Sequence, residues 1–318
     1  MKHVKKVLLT VVLAGAQLLA QGTPQEPLHE AYVYEKRGQF DKAVVIAKEL
    51  TDSGRVSGVE LGRAWNVLGV VFTQQGRLME AQNAFERSLQ ILGQEPRFVT
   101  DYAAALQNYG ELYNDSGERA VAGKMWRKAL DLLQQSGDHG GIARSLTYLA
   151  GLALAQNQIP NAKKYLKNVA EEMKLTHDLS DDDLAFIYET QAWLARAQRH
   201  PSAAVAGYQR SLELCQRIYG EGHWKVGWDY MLLGKSYAQS GDIEKALTDM
   251  RNGLSILDQA LGRKNPRYFV AQIAYAAVLD QAGLRERAAQ LRAAVEQAQK
   301  DFYRSQCVSC TINVAAFR

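Results

Sequence analysis

The sequence predicts an all-α protein: an α-solenoid, wound as a right-handed superhelix, of about seven helix pairs. Three columns of residues carry the prediction. Alanines recur at Ala43, Ala81, Ala122, Ala162, Ala204, Ala246 and Ala288, with gaps of 38 to 42 residues. Twelve positions before each stands a small residue: Ala31, Gly69, Gly110, Ala150, Ala192, Gly234 and Ala276. Five positions before each stand Gly38, Gly76, Gly117, Asn157, Arg199, Gly241 and Gly283. Two small residues per repeat let a pair of antiparallel helices approach backbone to backbone. A glycine between them ends the first helix in the left-handed conformation. The apolar column nine before the anchor (Tyr34, Phe72, Tyr113, Ala153, Ala195, Tyr237, Leu279) shares a face with the first small column and fills the space between layers.

The chain opens with a targeting pattern over residues 1–20. Met1–Lys6 is positive, Val7–Ala16 is apolar apart from Thr10, and Ala20 offers a small residue for cleavage before Gln21. The apolar stretch is short for a membrane span, which needs about 20 residues. A cleaved export signal is therefore expected, with retention as an anchor as the alternative, and a periplasmic or secreted bacterial location. No integral membrane segment is expected after cleavage.

The solenoid is expected over residues 21–304. In repeat two, Trp65, Leu68, Gly69 and Phe72 have helical spacing and are followed by Ala81, Phe85 and Ser88. Pro160 and Pro201 fall between paired helices, and Pro96 and Pro266 between repeats, so no helix interior carries the roughly 3 kcal/mol cost of a proline. Asp181, Asp182 and Asp183 after Ser180 read as a helix start, where carboxylates meet free amides and the positive end of the dipole. His223 falls in an inter-repeat turn. The first and last repeats are degenerate, with Pro27 and Glu30 in the columns of Trp65 and Leu68 and Arg292 in that of Phe85, as end caps facing water require. The last helix is expected to run to about Tyr303. The tail, residues 305–318, holds Cys307-Val308-Ser309-Cys310 and a strand-like alternation over Thr311–Val314.

Trp65, Leu68, Gly69, Phe72, Gly76, Ala81 and Phe85 resemble the tetratricopeptide repeat pattern column for column. The resemblance covers about Pro27 to Lys300. The long period and the connections Gly220–His223 and Gly262–Pro266 are similar to the long-repeat subgroup that includes kinesin light chains. The resemblance implies a protein or peptide partner held on the concave face, which the first helices line.

The frame places Arg63, Asn66, Gln107, Asn108, Glu111, Arg144, Thr147, Tyr148, Glu189, Trp193, Arg196, Trp228 and Lys235 at outward-facing, non-packing positions of the first helices. Amides suit a peptide backbone, arginine suits a carboxylate, and Trp193 or Trp228 suits an apolar anchor. Each could instead be plain solvated surface, and the two tryptophans could pack. The Lys–Asn pair four residues apart that grips partner C-termini elsewhere in the family is absent: Asn66 is followed by Val70, and Gln107 by Glu111.

Composition limits other functions. The formal charge is +4, but without Lys2, Lys5 and Lys6 the body holds 35 basic against 34 acidic residues, so nothing argues for nucleic acid. No HExxH, Gly-rich phosphate loop or Gly-x-Ser-x-Gly elbow occurs, and no catalytic residue, metal or cofactor is expected. In an oxidising compartment Cys307 and Cys310 read as a local disulfide, with free thiols or links between chains as the alternative; two thiolates fall short of a structural zinc site. Cys215 reads as buried and inert. The competing reading of the whole chain is an assembly subunit that self-associates, or joins an envelope complex, through its tail or convex face.

Overall fold

The computed structural model describes residues 25–177 and 179–306. The expected export signal (1–20), Cys307, Cys310 and the Thr311–Val314 alternation lie outside the described residues. Among the described residues, fourteen α-helices form seven antiparallel pairs: α1 (Gln25–Lys36) with α2 (Phe40–Asp52), α3 (Gly58–Gln74) with α4 (Leu78–Leu92), α5 (Val99–Asp115) with α6 (Arg119–Ser136), and α7 (His139–Ala155) with α8 (Ile159–Leu175). They continue as α9 (Asp181–Ala197) with α10 (Pro201–Tyr219), α11 (Trp224–Ser240) with α12 (Ile243–Leu261), and α13 (Pro266–Gln281) with α14 (Arg285–Gln306). The last helix thus reaches three residues beyond the expected Tyr303. Among the described residues, no helix is long and apolar enough to cross a membrane.

Every column has its expected structural role. All seven anchor alanines are fully buried. A Cβ on Gly69 would fall 2.6 Å from the Phe85 ring, one on Gly110 2.5 Å from Trp126 Nε1, and one on Gly234 2.5 Å from Met250 Cγ. Only hydrogen fits at those crossings. The turn inside each pair has positive φ at Gly38, Gly76, Gly117, Gly241 and Gly283, and also at Asn157 (57°) and Arg199 (60°), which carry side chains there at a cost. The next residue then closes the turn the same way in all seven repeats. The amides of Gln39, Arg77, Glu118, Gln158, His200, Asp242 and Leu284 donate to the carbonyls of Tyr34, Phe72, Tyr113, Ala153, Ala195, Tyr237 and Leu279 at 2.7 to 3.0 Å. The column read as an apolar filler therefore also supplies the carbonyl that stops each first helix.

Pro160, Pro201 and Pro266 sit in the first turns of α8, α10 and α13, where their missing N–H is not needed. Ser180 caps α9 and exchanges hydrogen bonds with Asp183, so the acidic run opens a helix as expected.

The superhelix is wound so tightly that successive coils touch. The α1–α2 turn of the first repeat lies against the start of the sixth, where a Cβ on Gly38 would be 3.3 Å from the His223 ring. The α3–α4 turn lies against the seventh: Asn265 Nδ2 donates to the Gln74 carbonyl at 2.7 Å, and Gly76 faces Pro266 and Phe302. One apolar cluster accordingly includes Phe40 and Leu68 from the first two repeats together with Trp224 and Val278 from the last two. This seam encloses the concave face as a lumen, and it corrects one expectation. Asn66, Gln107 and Thr147 are not outward-facing; they are buried, because the first helices close on each other at this curvature.

Candidate functional site

The lumen is lined by first helices, and through the first five repeats its polar side chains pair from one helix to the next. Arg63 on α3 binds Asp101 on α5 with both prongs, at 2.6 and 2.9 Å. Asn108 Nδ2 donates to Asn66 Oδ1 at 3.2 Å. Gln107 donates to Ser145 on α7 at 2.7 Å, and the Tyr148 hydroxyl donates to Glu111 at 3.2 Å. Arg144 holds Asp183 on α9 with two bonds, at 2.6 and 3.0 Å. Thr147 is spent on its own helix, donating to the Ala143 carbonyl. Each rung is a charge-assisted or amide bond that fixes the stagger between adjacent repeats.

The coil seam adds charged groups that the repeat frame did not select. Asp182 on α9 accepts from Lys36 at 2.9 Å, from Lys225 and from the Tyr219 hydroxyl. Burial alone would raise the Asp182 pKa, but the Lys225 and Lys36 ammoniums overcome it and hold the carboxyl well below its ordinary range. Arg267 on α13 reaches back to Asp115 at 3.0 Å and Glu111 at 2.6 Å, with its guanidinium 4.0 Å from the Trp224 ring. Burial, with Glu111 alongside, leaves Asp115 raised to about 6 despite that arginine. Lys225 and Arg267 occupy equivalent positions 42 residues apart, two after the capping residues His223 and Asn265. That equivalence was the available signal; their acidic partners, Asp182 on the preceding repeat and Asp115 and Glu111 on another coil, left none. His223 caps α11, stacks on Tyr219 at 4.4 Å, and is pushed down to about 3 by burial and the nearby Lys225.

Protein surrounds these groups, yet Lys36, Asp182 and Lys225 keep 44%, 28% and 30% of their side-chain surface accessible. The lumen is therefore wetted, and its ion pairs are screened more than their enclosure suggests.

The pattern changes between α9 and α11. The first-helix pairs α1–α3, α3–α5, α5–α7, α7–α9 and α11–α13 pack directly, whereas α9 and α11 do not pack closely. One face of α9 presents Glu189, Trp193 and Arg196, and one face of α11 presents Trp228, Leu232 and Lys235, both at helical spacing. Trp193 and Trp228 are half-buried in one cluster with Ala192, Leu232 and Tyr208, so both tryptophans pack. Trp228 also donates to Glu189, whose carboxyl burial raises to about 7. Asp229, not expected from sequence, is buried between α11 and α10, accepts from Ser211 at 3.1 Å and is pushed far up by burial and by Glu189. Cys215 is a buried free thiol beside it, also raised by burial. Among the described residues, no group of three or more His, Cys, Asp or Glu is placed to hold a metal ion.

No family profile and no curated protein sequence matches the chain. Solved structures match along nearly all of it. The apo form of RapI superposes with a TM-score of 0.60 at 14% identity, covering 88% of this chain and 99% of that one. A Rap protein complexed with competence and sporulation factor gives 0.57 at 12%, covering 89% and 99%. The Cut9–Hcn1 hetero-tetramer of the APC/C gives 0.62 at 16%, covering 91% of this chain and half of that one. At these identities the likeness establishes the fold and nothing finer: the chain is an all-α solenoid of tetratricopeptide type.

Proposed function

We propose that this chain is an exported interaction scaffold that takes an extended segment of a protein partner into the lumen of its superhelix. A tetratricopeptide-type solenoid is a protein–protein interaction fold, and the finer reading rests on one observation. The lumen is walled by ordered first helices, wetted, and lined by amides, paired ions and two indoles, which is the surface an extended chain needs for backbone bonds and apolar anchorage. The similar Rap solenoid holding competence and sporulation factor is a case of a bound factor on this fold. Export follows from the pattern over residues 1–20 and supplies the compartment.

Site-directed photo-crosslinking tests the face. Benzoylphenylalanine is placed at Trp228, the natural residue nearest it in size, and at the exposed convex Lys167 as control. Adducts with a partner from Trp228 and none from Lys167 are expected. Adducts only from Lys167, or only with a second copy of the chain, would overturn the lumen reading in favour of an assembly subunit. Cell fractionation with N-terminal sequencing tests export; recovery from the cytoplasm with residues 1–20 intact would refute it.

A further inference from the structure

We propose that the cleft between α9 and α11 is a carboxylate site, in which Arg196 and Lys235 grip an acidic group of the bound peptide. This rests on the lumen reading above and names what the lumen recognises.

The cleft is where the ladder of paired side chains stops. Arg63 and Arg144 each spend both prongs on an aspartate of the next repeat, and Lys36, Lys225 and Arg267 each have a carboxylate in the coil seam. Arg196 and Lys235 have no ion pair with any described carboxylate. The Arg196 Nε is buried with no hydrogen-bond partner, although the guanidinium stands beside the Tyr208 hydroxyl. The only charged neighbour that Lys235 feels is Arg196 itself, and burial together with that like charge lowers the lysine to about 8. Two cations on neighbouring first helices that feel each other's charge and no counter-ion form an arrangement that folding alone disfavours. It is resolved when a bound anion enters between them.

Here alone the backbones of neighbouring first helices part, and side chains span the interval: Trp193, Trp228 and Leu232 pack in it and suit the carbon skeleton that would carry the charge. The carboxyls on the same helices are not the missing counter-ions. Glu189 lies seven residues before Arg196 and Asp229 six before Lys235, roughly 10.5 and 9 Å along the respective axes at 1.5 Å per residue. The walls decide the class of anion: two indoles and a leucine suit the carbon skeleton that carries a carboxylate and offer nothing to a free phosphate. The carboxylate can be an acidic side chain or a free C-terminus.

Affinity selection with mass-spectrometric readout separates these. Three random hexapeptide pools are passed over the immobilised protein: free C-termini without Asp or Glu, amidated with Asp and Glu, and amidated without them. Retention of one or both carboxylate-bearing pools and not of the third is expected, and which one is retained tells terminus from side chain. The R196Q/K235Q variant should lose at least about tenfold in retention, as removal of a charge-assisted pair requires, and R196K/K235R should recover most of it. Because the glutamines remove uncompensated charges, helicity and melting should be unchanged or improved, so a loss of retention is not a loss of fold. Equal retention of the acid-free amidated pool, or equal retention by R196Q/K235Q, would overturn the carboxylate site while leaving peptide binding in the lumen intact. Retention of no pool would overturn both.

Discussion

Gly110→Ala and Gly151→Ala are the same substitution in the interiors of two first helices, and the packing predicts opposite signs. At Gly151 a new Cβ has only Trp193 Cζ3 within range, at 3.9 Å, an ordinary van der Waals contact. The helix then gains alanine's propensity over glycine, about 0.5–1 kcal/mol. At Gly110 the same methyl lands 2.5 Å from Trp126 Nε1 and 3.0 Å from Cε2. The indole cannot step aside. It is 2% exposed, stacked on Tyr148 with centroids 4.9 Å apart, and its N–H donates to the Gln107 carbonyl at 3.0 Å. Overpacking costs about 1–3 kcal/mol, and stranding the buried indole N–H costs a further 1–3 or so. Set against a propensity gain of about 1 kcal/mol, the net is a destabilisation of roughly 1–5 kcal/mol. Because a solenoid can unfold in segments, the readout should be local: hydrogen exchange of the α5 amides, alongside the denaturant midpoint by circular dichroism. Gly110→Ala should speed exchange in α5, and Gly151→Ala should slow it in α7. If Gly110→Ala proves as stable as Gly151→Ala, the small column is not set by helix crossing and the repeat frame fails.

Three further outcomes follow from the turns, the seam and the lumen. Arg199→Gly should stabilise by about 1 kcal/mol, since it relieves a left-handed arginine (φ 60°) at a position where five other repeats carry glycine; a lower denaturant midpoint would refute the strain. Arg267→Met leaves Asp115 and Glu111 without their cation. The arginine is only 11% exposed but the acids are partly wetted, so about 2–3 kcal/mol should be lost, with a larger radius of gyration in small-angle scattering; an unchanged radius would mean that this bridge does not hold the coils together. Glu189→Gln tests the raised carboxyl. Its folded pKa of about 7 exceeds its ordinary 4.5, so its contribution is present below pH 4.5 and is lost as pH rises through 7. Discounted for wetting, about 1–2 kcal/mol should separate variant from parent at pH 8 and vanish by pH 4.5. A constant difference across that range would place the carboxylate in ordinary solvent. His223 runs the other way, since its depressed pKa loses stability as pH falls from 6.5 toward 3, but it is common to both proteins and cancels in the comparison.

The fold was legible because each repeat is a local solution to the same packing problem. The alanine, glycine and aromatic columns lie within twelve residues of one another, and steric demands at that range leave marks that recur seven times. Even the two exceptions, Asn157 and Arg199, adopt the glycine conformation, because the hydrogen bonds from the Gln158 amide to the Ala153 carbonyl and from the His200 amide to the Ala195 carbonyl fix the turn whatever residue occupies it. The lumen was legible in membership and not in state. The frame selected Arg63, Asn108, Arg144 and Tyr148 correctly as first-helix residues, but whether such a residue is free or paired depends on the next repeat, whose register no local spacing encodes. Asn66 and Gln107 were misjudged for that reason. The pairings across the seam were not legible. Lys36 with Asp182, and Arg267 with Glu111, are set by how many repeats complete one turn of the superhelix, a sum of small rotations to which every interface contributes.

That dependence makes the seam and the lumen one mechanical system. Asp183 and Asp182 are adjacent on the first turn of α9, and they point their charges at different partners: Asp183 holds Arg144 in the ladder, while Asp182 holds Lys36 from the first repeat and Lys225 from the sixth. Glu111 likewise serves Tyr148 within the ladder and Arg267 across the seam. A change in coil pitch therefore cannot leave the lumen rungs untouched, because the same helix turns carry both sets of bonds. The gap between α9 and α11 lies beside this junction, since Lys225 stands in the first turn of α11, the helix that also carries Lys235. Closing that gap on a ligand would rotate α11 against α9 and load the Lys225–Asp182–Lys36 contacts directly. Occupancy of the lumen should thus be felt at the seam between the first repeat and the sixth, by way of two helices whose backbones nowhere pack closely together.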